Sequence, residues 1–511
     1  MNSTNFSLLV QNMLRDDFYP HPVQSPLELI QTHISYIFLT GDYVYKLKKP
    51  VNFGFLDFST PAKRHHFTQE ELRLNQPLAP DIYLEVLPIN YQSIVTGEGE
   101  VQEYVLKMRQ FPQKNLLINL VKNQALLPKH CQELGEVLAN FHQNTPTNQY
   151  ITSFGTPENI AKAILENYEH TAKYVGSIQT EQQYLETKAF TDNFIKTNTE
   201  VFVKRQTQGK IRECHGDLHL KNICLYQDKI QLFDRIEFNE EFRYVDVIYD
   251  VAFTMMDLDF NQASDLGNIF LNTYLEKTGD WEGVAILPLY LSRQAYVRAK
   301  VNSLTQDNPQ LDSTERGSLR LDAEKYYNLA WQYSQPQPGK IILMSGLSGS
   351  GKTTVAKKIA PLIKAILIRS DAVRKHLAGI SLESRGGEEI YTAAMSNKTY
   401  QRLLELGIKL AKQGFTVILD AKYDRLQWRL SAADAAKTEN IPLEIYYCTA
   451  PLEVLRERIE QRQGDISDAT SELLTQQLAS QEEFTEREKH YLTVIDTNQN
   501  NWGVSIFPEK G

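Results

Sequence analysis

The stretch IILMSGLSGSGKTT, residues 341–354, decides the fold of the C-terminal part of this chain. An apolar run of strand character stops at a turn rich in glycine and serine, and the helical pattern TTVAKKIA follows. Gly346–Thr353 fills every fixed position of the pattern G-x-x-x-x-G-K-[ST], in the strand-to-helix context that the pattern requires. Glycines let main-chain N–H groups curl around phosphate oxygens, and a helix N-terminus favours the same charge. Gly346, Ser348, Gly349, Ser350, Gly351, Lys352, Thr353 and Thr354 are therefore the candidate residues for binding ATP. Lys352 is expected to reach the β- and γ-phosphates, and the Thr353 hydroxyl to ligate Mg²⁺.

Downstream, the apolar runs AILIRSD, TVILDA, LEIYYC and TVIDT alternate with helical patterns. Continuous apolar strands separated by helices imply a parallel sheet covered on both faces, an α/β domain. Ligands of such sheets lie beyond the carboxyl ends of the strands. Asp371 stands at one of these ends as a candidate base, with Arg374 a helical turn later to hold an anion. Asp420 ends another strand, placed to hold the magnesium shell. Arg458 and Arg462, four apart in LRERIEQRQ, are suited to clamping phosphates.

Upstream, SQPQPGK (residues 334–340) reads as a linker, because proline fixes φ and withholds a donor. Before it, SYIFLTGDYVYKLKK (residues 35–49) reads as a hairpin turning at Gly41-Asp42. CQELGEVLANFH places Leu134, Val137, Leu138 and Phe141 on one helical face. A strand-rich front and a helical back are expected.

The second motif is CHGDLHLKN, residues 214–222. Asp217 and Asn222 have the spacing of the catalytic loop H-R-D-x-x-x-x-N, with Gly216 replacing the arginine. Such an aspartate can deprotonate an acceptor hydroxyl, and such an asparagine can bind Mg²⁺. Asp234 then ends the apolar strand IQLFD, where a second magnesium carboxylate belongs.

Composition limits the partners. The 511 residues imply two or three domains, and 42% hydrophobic with 23% charged residues is ordinary for a soluble globular protein. A net charge of -9 argues against non-specific binding to nucleic acid or acidic membranes. The N-terminal residues lack the pattern of a signal peptide, and no apolar run is long enough to span a bilayer. Four scattered cysteines suit a reducing compartment, so a cytoplasmic location is expected.

The C-terminal motifs resemble those of the small P-loop kinases grouped with polynucleotide 5′-kinase, gluconate kinase and zeta-type toxins. The nearest likeness is the Asp-x-x-Arg pair, here Asp371 and Arg374. That resemblance implies a five-stranded core and transfer of phosphoryl from ATP to a hydroxyl. The upstream loop resembles that of the aminoglycoside phosphotransferase and choline kinase group, relatives of protein kinases. It implies a magnesium role for Asp234 and, at the helix start YDVAF, a bracing role for Asp250. It also calls for a nucleotide lysine in YVYKLKK and a carboxylate partner in TQEELRLNQPL. Lys46 is favoured over Lys48, and Glu71 over Glu70. One part is missing, since LIQTHIS before the hairpin holds no G-x-G-x-x-G.

The expected architecture is multidomain, α+β followed by α/β. Residues 1–333 would form a two-lobed protein-kinase-like domain (N-lobe about 1–115, C-lobe about 116–333), 334–340 the linker, and 341–511 the P-loop kinase domain. The expected function is a bifunctional ATP- and Mg²⁺-dependent phosphotransferase acting on small-molecule hydroxyls. The alternative is a single active P-loop kinase, open to a nucleic-acid 5′-hydroxyl, regulated by a non-catalytic kinase-like module.

Overall fold

Strand alternation in Tyr43–Lys48 points Tyr45 and Leu47 to one face and Lys46 and Lys48 to the other. In the computed structural model, which describes residues 3–96, 99–461, 466 and 471–499, that division is realised. Tyr45 and Leu47 join Phe38, Ile89 and Val105 in an apolar core, onto which Phe6, Leu9 and Met13 also pack. The sheet runs β1 (Glu28–Gln31), β2 (Ser35–Leu39), β3 (Tyr43–Lys48), β5 (Glu103–Arg109), β4 (Tyr83–Ile89), with β4 and β5 in chain order and every neighbour antiparallel. β2 and β3 form the expected hairpin, Leu39 facing Val44 across a turn with Gly41 at φ 104°.

By contacts the chain forms two compact units. The first comprises Met1–Leu126, Asn144–Ile164 and Asn198–Asp257. It holds the sheet just described and the helix Pro61–Asn75, started by Pro61 behind the N-cap Thr60. That helix buries a polar face: Arg64, Thr68, Glu71 and Asn75 recur at helical spacing. Short antiparallel pairs carry the catalytic-loop region: β6 (Ile211–Glu213) with β9 (Tyr244–Asp246), and β7 (Ile223–Tyr226) with β8 (Lys229–Leu232). A five-stranded antiparallel sheet, a helix packed against it and a loop between short strand pairs make up the frame of this unit, the strand-rich front that the sequence predicts.

The second unit comprises Leu127–Gln143, Leu165–Thr197 and Leu258–Gly511. Its five strands are all parallel, in the order β11 (Ile366–Arg369), β12 (Thr416–Asp420), β10 (Lys340–Ser345), β13 (Leu443–Thr449), β14 (Leu492–Asp496). Ile342, Met344, Leu367, Ile418 and Cys448 build the core against the helix Lys352–Leu362. The helix Ser264–Thr278 packs against the edge strand β11. Asn272 Nδ2 donates to the Ala365 carbonyl (2.9 Å), and its Oδ1 accepts from the Leu367 N–H (2.8 Å). Residues 334–340 thus run within one compact unit. Leu134 and Leu138 are buried as expected, while Val137 and Phe141 are half-buried. No described helix is long and apolar enough to cross a membrane.

Two candidate phosphoryl-transfer sites

In the first unit, Lys46 Nζ lies 2.7 Å from Glu71 Oε1 and 2.7 Å from Asp234 Oδ1. Strand β3 presents the lysine, the buried helix face the glutamate, and the turn after β8 the aspartate. Burial works against a charged Lys46, but Asp234 and Glu71 outweigh it and hold the ammonium well above its ordinary range. Lys48 also reaches Glu71, Nζ to Oε2 at 2.7 Å, and contacts Glu237 as well. Glu71 therefore sits between two lysines, whereas Glu70 pairs with Arg73 outside the site. Burial tends to raise Glu71, yet Lys46 and Lys48 bring it below the ordinary carboxylate range.

The catalytic loop is held from below. Asp250, fully buried, accepts the N–H of His215 (2.7 Å) and of Gly216 (2.9 Å). Asp257 accepts the Leu220 N–H (2.8 Å), and the Thr254 hydroxyl donates to the Leu218 carbonyl (2.8 Å). His215 receives the Asp217 N–H at Nδ1 (3.3 Å) and lies 2.9 Å from the Phe233 carbonyl through Nε2. A carbonyl only accepts, so Nε2 carries the proton; burial lowers the pKa and keeps the ring neutral. Gly216 is required where the expected motif has arginine: φ is 86°, and a Cβ would stand 2.5 Å from the Phe242 carbonyl oxygen.

Asn222 donates from Nδ2 to the Asp217 carbonyl (3.0 Å) and to its Oδ2 (3.4 Å), so Asp217 and Asn222 adjoin. Asp234 adopts the left-handed φ of 60°, its N–H held by the Tyr83 hydroxyl at 3.0 Å. Carboxylate and amide oxygens of this kind suit a hard cation such as Mg²⁺. In place of a glycine-rich loop, β1 and β2 are joined by Thr32–Ile34, with the Thr32 hydroxyl accepting the Ser35 N–H at 2.9 Å. Sequence reading missed Glu237 and Arg235. Buried Arg235 ties the Asp234 segment to the Leu74 carbonyl (3.1 Å) and the Cys214 carbonyl (2.9 Å).

In the second unit, β10 delivers the glycine-rich loop to the helix Lys352–Leu362. Gly349 has φ 79°, and a Cβ there would meet the Leu455 carbonyl oxygen at 2.5 Å. Lys352 Nζ donates to the Leu347 carbonyl (2.8 Å), and burial lowers its pKa. The Thr353 hydroxyl donates to Asp420 Oδ2 at 2.6 Å, bringing together the two residues expected at the cation. A hydroxyl and a carboxylate are hard oxygen donors, which fit Mg²⁺. Gln477 Oε1 accepts the Ser348 N–H at 3.0 Å, and Thr354 is exposed.

Asp371 is half-buried in the first turn of the helix Ser370–Ala378. Arg374, on the same helix, is buried and donates to the Ile390 carbonyl (3.0 Å), its guanidinium 5.0 Å from the Tyr391 ring centroid. Arg458 lies at the rim of the glycine-rich loop. It donates to Thr497 Oγ1 (2.8 Å), the Thr497 carbonyl (3.0 Å) and the Gly349 carbonyl (3.4 Å). Arg462 lies outside the described residues.

A family model described as an AAA domain matches residues 341–484. Among solved structures, a gluconokinase from Sinorhizobium meliloti 1021 is 24% identical with a TM-score of 0.25, covering 34% of this chain and 90% of its own. A choline/ethanolamine kinase family protein from Mesorhizobium loti is 11% identical with a TM-score of 0.38, covering 64% and 99%. Two curated relatives are the uncharacterized protein Rv2004c of Mycobacterium tuberculosis (strain ATCC 25618 / H37Rv) and the uncharacterized protein Mb2027c of Mycobacterium bovis. Each is 30% identical over 472 residues, 91% of this chain and 92% of the relative. This chain belongs to the family of these mycobacterial proteins.

Proposed function

We propose that the chain is a bifunctional ATP-dependent phosphotransferase, each site moving the γ-phosphoryl of ATP to a hydroxyl of a small molecule. The observation that carries this reading is the Lys46 ammonium, held at 2.7 Å from both Glu71 and Asp234 in the unit that contains Asp217 and Asn222. In the upstream site Lys46 binds the α- and β-phosphates and is kept extended by Glu71. Asp217 takes the proton of the acceptor hydroxyl, while Asn222 and Asp234 hold Mg²⁺. In the downstream site Lys352 and the loop N–H groups hold the phosphates. Thr353 and Asp420 hold the cation, Asp371 takes the acceptor proton, and Arg458 supports the loop. Mg²⁺, when bound by these residues, would supply neutralisation of charge on the phosphoryl oxygens.

A second reading is favoured by the Thr32–Ile34 turn, which offers no glycine N–H groups to a phosphate. It makes the upstream half a binding module that regulates one active P-loop kinase. The chain's charge of -9 weighs toward small acceptors over nucleic acid. The described cysteines are all free and buried, which suits the cytoplasm. An acceptor screen with labelled ATP separates the two readings. Bifunctionality requires two product sets, one abolished only by Asp217→Asn and one only by Lys352→Ala. A full product profile from Asp217→Asn supports the second reading and refutes the first.

A further inference from the structure

The cation pair Thr353–Asp420 has a neighbour that the glycine-rich motif does not include. β11 and β12 lie parallel with Arg369 opposite Asp420 in register, so both side chains stand at the carboxyl ends of adjacent strands. Arg369, 3% exposed, places Nε at 3.8 Å from Asp420 Oδ2. Its Nη1 lies 3.3 Å from Glu276 Oε1 and 3.4 Å from Oε2. Glu276 lies on the helix Ser264–Thr278, more than sixty residues before the glycine-rich loop and outside the stretch that the AAA-domain family model matches. The same helix turn is fixed to the module a second time, since the Glu276 carbonyl is 2.8 Å from His376 Nε2.

One guanidinium therefore lies between two carboxylates, one of which is expected at the cation. A fixed positive charge beside Asp420 competes with a divalent ion for it, and in a buried site the competition is only weakly screened. Glu276 opposes that competition by drawing Arg369 toward itself. We propose that Glu276 sets the magnesium requirement of the P-loop site, acting through Arg369 as a positioning residue. This inference rests on the reading of that site as a magnesium–nucleotide site. Its consequence is that a helix upstream of the glycine-rich module tunes how readily the module accepts its cation.

The test is binding of a fluorescent, non-hydrolysable ATP analogue to the full chain while Mg²⁺ is titrated. The signal read is the component that Lys352→Ala abolishes. Glu276→Gln is expected to raise the half-saturating Mg²⁺ at least about threefold, because a charge felt across one guanidinium in a poorly screened site is worth more than RT. Binding of the analogue without metal should stay within about twofold, which a general loosening of the fold would not allow. In an Arg369→Gln background, Glu276→Gln should add nothing, as a double-mutant cycle requires. If Glu276→Gln fails to fold, Glu276→Asp keeps the charge but retracts it, and should give a smaller shift in the same direction. An unchanged magnesium midpoint in a folded variant overturns the proposal. So does a shift that persists undiminished without Arg369, because Glu276 would then act directly. Absence of any magnesium-dependent binding in the unchanged protein overturns the underlying site reading, and this inference with it.

Discussion

Asp250→Ala should release the catalytic loop without touching any group proposed to meet a substrate. The carboxylate accepts two main-chain N–H groups, from His215 at 2.7 Å and Gly216 at 2.9 Å, in a fully buried position. Alanine leaves both donors without that acceptor. A buried unsatisfied donor costs about 1–3 kcal/mol, and bonds to a charged acceptor lie at the upper end of that range. The pair together is worth roughly 3–5 kcal/mol, a large share of the about 5–15 kcal/mol that holds an ordinary domain folded. Local opening should then become at least ~100-fold more frequent, since each 1.4 kcal/mol is about a factor of ten. Hydrogen exchange followed by mass spectrometry on peptides spanning residues 213–222 reads this directly. The described tryptophans, Trp281, Trp331 and Trp428, belong to the second unit, so their fluorescence reads that unit and serves as the control. Exchange of the loop peptides within threefold of the unchanged protein would refute the bracing argument.

Lys48→Met should destabilise the first unit by roughly 3–5 kcal/mol, because it leaves buried Glu237 without its partner beside Glu71; urea unfolding followed by circular dichroism measures this, and a loss under 1 kcal/mol would contradict it. His215 is buried and neutral with its pKa lowered, so its contribution is full above the unfolded value of about 6.5 and is lost as pH falls below that, down to the folded pKa. Loop protection against exchange should therefore decline as pH falls below about 6.5, and protection independent of pH on the acid side of that value would count against the neutral bridge. Gly349→Ala forces a methyl against the Leu455 carbonyl at φ 79° and should weaken nucleotide binding at the P-loop site at least ~10-fold by calorimetry, whereas binding within twofold would show that the loop yields freely.

The parallel sheet was legible because its strands are buried on both faces and read as unbroken apolar runs, each closed by a polar residue. The same rule located Asp420 and Asp234. Strand alternation put Lys46 and Lys48 on one face, but only the structure shows Glu71 bonded to both. Glu237, Arg235 and Asp257 were not legible, since a buried polar residue leaves no trace in hydrophobic periodicity. Their partners lie far off in sequence. The same holds for Glu276, which lies 93 residues before Arg369. Arg374 matched a motif by spacing, yet spacing does not give the direction of a long side chain, here turned to the Ile390 carbonyl.

The amide of Asn272 occupies two hydrogen-bonding positions at the rim of the sheet beside β11, the Ala365 carbonyl and the Leu367 N–H. A fragment cut to begin at the apolar strand would lose this stopper along with the helix that supplies it. Its bare rim would offer itself to a second copy of the same strand. The stretch that looks like a transplantable cassette in the sequence is thus sealed by a residue that precedes it, and excision would favour sticky, self-associating material over a working half.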